Sequence, residues 1–384
     1  MFDLLLKTEF FTPFSAEPLD PPKGAERTTD TAEQVLNQLC LWASEERFRV
    51  DVHLLQGLCA TDQGSRRLSE IADSCICQVT EMARLDMYRR YGRLPEERFA
   101  VIALGRLGSQ QLTAISDADL MFVYDSHSET PSDGPQSLEA GQYYNRLSQL
   151  IISWLSMQTA KGRLFDVDTR LRPDGQSGAL AIKIDRLSNY FANDAWPWEY
   201  CAFLKARPIY IDEAFSSDLY KTLINIRTNP PALPLLVEDI KRMRQRLNAD
   251  PTAPQSLKKR SGGFLDAEFL VALLAVQSDH QVLSTDPASS SKPLLSKLLG
   301  IIADEDGVRT VCAGLRDLEL IIQITALCLG KSSVTPSVSE NPQTWLALAD
   351  RLNLNTAVEL QLHIEKICGH TASMLARFLE PKAN

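Results

Sequence analysis

Apolar residues between Thr31 and Tyr91 recur at helical spacing. Val35, Leu39 and Trp42 share one face, and further stripes follow at Leu54, Leu55 and Leu58 and at Leu68, Ile71, Ala72 and Cys75. Breaks fall only around Gly57 and Gly64, so this stretch predicts helices. Ahead of it, residues 1–30 cluster Pro13, Pro18, Pro21 and Pro22 among few periodic apolar positions, which predicts an extended lead or a linker.

The period changes after Arg93. Residues 99–104 form a short apolar run between Pro95 and Gly105 and predict a buried strand, and residues 120–124 predict a second. A polar stretch at 126–135 reads as an exposed loop, and 137–159 as a helix. A third strand is expected over 164–170, closed by the turn residues Pro173, Asp174 and Gly175. Beyond Asp212 the strand pattern stops. Helical periodicity marks 235–247, 264–276, 294–302, 308–329 and 358–379, separated by Pro- and Ser-rich breaks at 228–234, 284–293 and 332–342. The predicted architecture is α+β and mostly helical. It has a lead and helical region over 1–92, a small α/β domain over 93–212 and a helical bundle over 213–384, with no internal repeat.

Composition narrows the function classes. With 40 basic and 49 acidic residues the net charge is −9, which argues against a nucleic-acid binder. The apolar and charged fractions, 44% and 23%, suit a globular protein with a real core. No window offers the 18 or so uncharged apolar residues of a bilayer-spanning helix. The longest run, 318–329, is broken by Glu319 and Gln323. The N-terminus lacks the pattern of a signal peptide. The eight cysteines fall mostly in apolar helical patterns and read as reduced core residues of a cytoplasmic protein.

Candidate chemistry lies where the predicted strands begin and end. Leu104-Gly-Arg-Leu-Gly-Ser109 follows the first strand, and Asp117 and Asp119 open the second. Alternate strand residues share a face, so the two carboxylates point the same way, as a divalent cation requires. The Gly108–Ser109 turn offers backbone N–H groups and a hydroxyl to a phosphate. Taken alone, this is also the pattern of a tight turn in which Ser116 and Asp117 bond the local backbone. Asp166, Asp168, Arg170 and Arg172 then alternate along the third predicted strand, as either an ion or polyanion site or an internal Asp–Arg network. The five histidines show no metal-ligand spacing, so zinc chemistry lacks support.

This order of glycine turn, Asp117, Asp119 and later Asp168 resembles the polymerase-β-type nucleotidyltransferases, and more closely the glutamine synthetase adenylyltransferase/adenylyl-removing family. The resemblance also runs through Glu45-Glu-Arg-Phe48, Tyr143-Tyr-Asn-Arg-Leu147, Asp166-Val-Asp-Thr-Arg-Leu-Arg-Pro173, Ala195-Trp-Pro-Trp-Glu199 and Gly262-Gly-Phe-Leu-Asp-Ala-Glu-Phe269. The family enzyme has two catalytic halves. Asp266, Ser177-Gly178 and the tryptophan segment resemble the adenylylating half, whereas Lys205-Ala-Arg-Pro208 resembles the adenylyl-removing half. The chain is similar to the former standing alone.

The resemblance implies a mixed sheet and transfer of AMP from MgATP to a tyrosine of glutamine synthetase. Asp117, Asp119 and Asp168 would be catalytic and would hold Mg²⁺, two ions being expected. Gly105, Arg106, Gly108, Ser109, Ser116, Arg170 and Arg172 would bind nucleotide, with the arginine that offsets pyrophosphate charge left open among Arg106, Arg170 and Arg172. A PII signalling protein is a further possible partner; no nucleic acid or membrane is implied. The alternatives are phosphorolytic removal of AMP, transfer to a small molecule, and a regulatory module without turnover. Arg106, Ser109 and Tyr200 depart from the usual Lys, Gly and His. Trp196 and Trp198 read as core or interface aromatics, Glu268 as a helix-start acid, and Asp266 as either that or a site residue.

Overall fold

A computed structural model describes residues 5, 8–14, 19–22, 31–277, 305–330 and 342–380. Two long helices follow residue 31. Helix α1 (Ala32–Gln56) starts in a capping box, where Thr31 Oγ1 accepts from the Gln34 N–H while Gln34 Oε1 accepts from the Thr31 N–H. It ends at Gly57, whose φ of +73° is the left-handed conformation that stops helices. Helix α2 (Thr61–Tyr91) returns along it. Within the expected extended lead, Thr8–Phe11 instead form a helical turn; Phe10 is buried, and its carbonyl accepts from Arg49 Nε.

The sheet comprises β1 (Phe99–Ala103), β2 (Ala118–Tyr124), β3 (Val167–Asp168), β4 (Ala181–Lys183) and β5 (Arg207–Ile211). Strand β1 is central, antiparallel to β2 on one side and β5 on the other. The outer edge of β2 is shared by β3 and β4, both parallel to it, so the sheet is mixed. Helices cover both faces, which explains the unbroken apolar run of β1. Phe99 and Val101 pack towards α1, α2 and α4 (Ala140–Ser156). Ala100 and Ile102 pack towards α5 (Ile184–Asn193) and α7 (Glu213–Thr228). Between these two helices runs the short α6 (Pro197–Phe203).

The third predicted strand is corrected to two residues at the sheet edge; Asp166 and Arg170 lie outside it. Strands β4 and β5 escape the apolar pattern because one has three residues and the other carries Pro208, which an edge strand tolerates opposite a register shift. Helices 184–193, 197–203 and 213–228 are also additions.

The bundle contains α8 (Leu233–Asn248), α9 (Phe264–Gln277), α10 (Glu305–Leu329), α11 (Pro342–Leu352) and α12 (Ala357–Leu379). Helix α11 was not expected from the sequence, and the predicted 294–302 helix lies outside the described residues. No described helix is long and apolar enough to cross a membrane.

Candidate active site

The four-residue α3 (Gly105–Gly108) joins the end of β1 to the loop that leads into β2. The Leu104 N–H donates to Asp119 O at 2.9 Å, fixing the turn over the start of β2. Gly105 has φ +53°, and a Cβ there would sit 2.0 Å from Asp119 Oδ2. This glycine therefore serves both the backbone conformation and the close approach of a carboxylate. A Cβ at Gly108 would meet Lys205 O at 2.2 Å, so the other side of the turn is equally tight.

Asp119 and Asp168 are Cα partners across the parallel β2–β3 pair. Asp117 precedes β2, is exposed, and adds its charge to the field at Asp119. Burial, then Asp168 and to a smaller extent Asp117, push the Asp119 carboxyl up to about 6, while Lys258 and Lys205 pull it down. Asp168 is shifted the other way: hydrogen bonds from Arg170 hold it below the usual carboxylate range. Arg170 Nε lies 2.8 and 3.0 Å from its two oxygens. A cavity of about 270 Å³ opens beside Asp117, lined in part by Arg47, Thr113, Ser116, Arg163 and Phe165.

The remaining candidates are placed less uniformly. The Gly108 and Ser109 N–H groups already donate to Leu104 O and Gly105 O. Donors for an incoming anion are thus the first-turn N–H groups of residues 105–107, which have no acceptor within the helix. Ser109 Oγ turns back onto Gly105 O and Arg106 O. Ser116 Oγ accepts from the Thr113 N–H at 3.0 Å, closing the loop before β2. Arg106 is directed away from the carboxylates: Nε donates to Gln111 O at 2.7 Å and Nη2 to Glu319 Oε1 at 3.3 Å. Arg172 is buried and donates to the carbonyls of Thr169, Gly178 and Ala179.

Several residues outside that set take definite places. Asp266 is buried, accepting from the Gly262 N–H at 2.6 Å and from Arg244 Nη1 at 2.8 Å, so it braces the glycine pair. Trp196 is 58% exposed, which corrects the core half of its reading as a core or interface aromatic; Pro197 starts α6 immediately after it. Tyr200 is buried, with its hydroxyl donating to Arg227 O. Sequence reasoning missed Lys258. It lies in an ordinary basic run, and only the fold brings its charge to Asp119.

The donor set fits a hard divalent cation. Asp117, Asp119 and Asp168 supply only oxygen ligands, the donor type such a cation takes, and Gly105 lets the backbone lie close against Asp119. A tighter ligand-type group, Asp125, His127 and Asp218, has ligand atoms within 4.8 Å of one another. There Arg98 already pairs with both carboxylates, at 3.2 and 2.5 Å, and supplies the positive charge.

A strand, a glycine turn and carboxylates before and on the next two strands could hold a cation-bound polyphosphate. Residues 6–221 match the family model of the glutamate-ammonia ligase adenylyltransferases, and the chain belongs to that family. It is 34% identical over 304 residues to the bifunctional glutamine synthetase adenylyltransferase/adenylyl-removing enzyme of Brucella suis biovar 1 (strain 1330), covering 78% of this chain and 31% of the relative. The enzyme of the same name from Rhizobium meliloti (strain 1021) is 32% identical over 301 residues, 77% of this chain and 30% of the relative. The chain spans about a third of the length of these curated relatives.

Proposed function

We propose that this chain transfers AMP from MgATP to a tyrosine hydroxyl of glutamine synthetase. The observation that carries the reading is the Asp119–Asp168 register pair beneath Gly105, in a chain of this family. Asp117, Asp119 and Asp168 would hold the metal. Mg²⁺ bound there would supply charge neutralisation for the polyphosphate.

The chain's own groups position and screen. First-turn N–H groups of residues 105–107 bind phosphate oxygens, because Gly105 lets a ligand come close and these donors have no acceptor within the helix. Gly108, Ser109 and Ser116 shape that turn. Arg170, exposed and already engaged with Asp168, is the cation best able to swing towards a leaving pyrophosphate. Since Arg170 holds Asp168 ionised and weakly basic, Asp168 serves as a ligand rather than as a strong proton acceptor. Arg106 and Arg172 support the site through the protein contacts described above. In the reaction the phenol gives up its proton to solvent and its oxygen bonds the α-phosphorus, the bond from the α-phosphorus to the oxygen bridging to the β-phosphate breaks, and pyrophosphate leaves. The eight unpaired cysteines support a reducing, cytoplasmic setting.

Intact-mass measurement of glutamine synthetase after incubation with the chain, ATP and Mg²⁺ tests the reading. A subunit gain of one AMP, absent with the Asp117→Asn/Asp119→Asn variant, is expected. A parallel arm supplies adenylylated glutamine synthetase and phosphate. Loss of AMP there, without gain in the first arm, would assign the removing direction instead.

A further inference from the structure

Helix α10 is strongly apolar around Leu318, Leu320, Ile321, Ile322 and Ile324, yet it buries Glu319 and Gln323 among them. Buried polar groups are costly unless paired, and these two lie one turn apart on one face of the helix. Both reach the same loop. Glu319 Oε1 accepts from Arg106 Nη2 at 3.3 Å and from Ser65 Oγ of α2 at 3.4 Å. Gln323 Nε2 donates to Ser65 Oγ and to Leu112 O, each at 2.7 Å. Arg106 in turn holds Gln111 O. One bundle helix thus grips both ends of the 106–112 segment that joins the glycine turn to the approach of Asp117. The sequence separation from Arg106 to Glu319 is 213 residues.

We propose that Glu319 is a positioning residue for the nucleotide turn: by anchoring Arg106, it keeps the first-turn N–H groups of residues 105–107 aimed at the phosphates of MgATP. It acts through Arg106 and touches neither nucleotide nor metal. Burial raises the Glu319 carboxyl, and Arg106 is the largest of the influences that oppose that shift. The nucleotide part rests on the function proposed above; the anchoring of the turn does not.

The test uses the full chain with Glu319→Gln, Arg106→Met and the double variant. Backbone deuterium exchange is followed in residues 105–112, with 120–124 as an internal reference. MgATP binding is titrated with a fluorescent ATP analogue. Both single variants should exchange about ten-fold faster in 105–112 while the reference stays constant, since local opening follows the lost contacts. Glu319→Gln should weaken MgATP roughly three- to ten-fold, with the kcat of AMP transfer within about two-fold of wild type. The double variant should be no worse than Arg106→Met.

Unchanged exchange in 105–112 overturns the proposal. So does tighter MgATP binding by Glu319→Gln, which would make Arg106 a nucleotide ligand that Glu319 holds back. If Glu319→Gln fails to fold, Arg106→Met decides by the same exchange readout, its side chain being partly exposed. Faster exchange in a chain whose wild type binds no MgATP supports the anchoring and overturns the nucleotide reading.

Discussion

Asp119 on β2 and Asp168 on β3 stand directly opposite each other in a parallel strand pair, and their surroundings drive their carboxyls in opposite directions. Asp168 has Arg170, whereas Asp119 has burial and two like charges only partly offset by Lys258 and Lys205. Replacing Asp119 by Asn should lower AMP transfer by about 10²–10³-fold, the scale of losing one preorganised electrostatic group. The melting temperature should not fall, because the substitution relieves charge crowding. Initial rates of AMP incorporation and a thermal melt check both halves.

Gly105→Ala should be as damaging as loss of a carboxylate. The new Cβ falls 2.0 Å from Asp119 Oδ2 at a φ of +53°, so side chain and backbone must both shift. Left-handed strain alone costs about 1–2 kcal/mol. MgATP titration and a denaturant melt should show lost binding with that modest destabilisation.

Arg207 ties β5 to the underside of the turn. Its guanidinium meets Asp73 of α2 at 2.8 and 2.9 Å and Leu107 O at 3.1 Å. Arg207→Met leaves Asp73 with an unpaired carboxylate and should cost about 2–4 kcal/mol. Urea denaturation of Arg207→Met and of Arg207→Met/Asp73→Asn should show the double variant recovering part of that loss.

Asp51 gives the expected pH dependence. Burial raises its carboxyl to about 7 from 3.8 despite Arg47, and Oδ1 lacks a hydrogen-bond partner. The folded state thus binds the proton more tightly than the unfolded state. This contribution is fully present below about pH 4 and is lost as pH rises to about 7, a change on the order of 4 kcal/mol. Asp51→Asn should match wild type near pH 4 and melt higher at pH 8; equal melting at pH 8 would contradict this.

Much of the fold could be read in the chain. The sequence reading of 99–104 and 120–124 as strands, and of 235–247, 264–276, 308–329 and 358–379 as helices, agrees with the observed elements to within a few residues at each end. These segments bury wide apolar faces, and burial is what periodicity records. The stripe Phe215, Leu219, Leu223 and Ile226 of α7 has the same helical spacing, and it packs on the sheet and not within the bundle. Strands β3 and β4 were not legible, because two or three residues hold too little pattern to separate an edge strand from a loop.

The sequence by itself determined the mixed helical and strand character, the glycine turn and the three aspartates, since these are local matters of residue type and spacing. Only the tertiary structure decided how they are used. Strand pairing set Asp168 opposite Asp119, and packing brought Lys205 and Lys258 to the same charge. The bundle drew Arg106 away to Glu319. Charges act through space and burial, and neither distance is written along the chain.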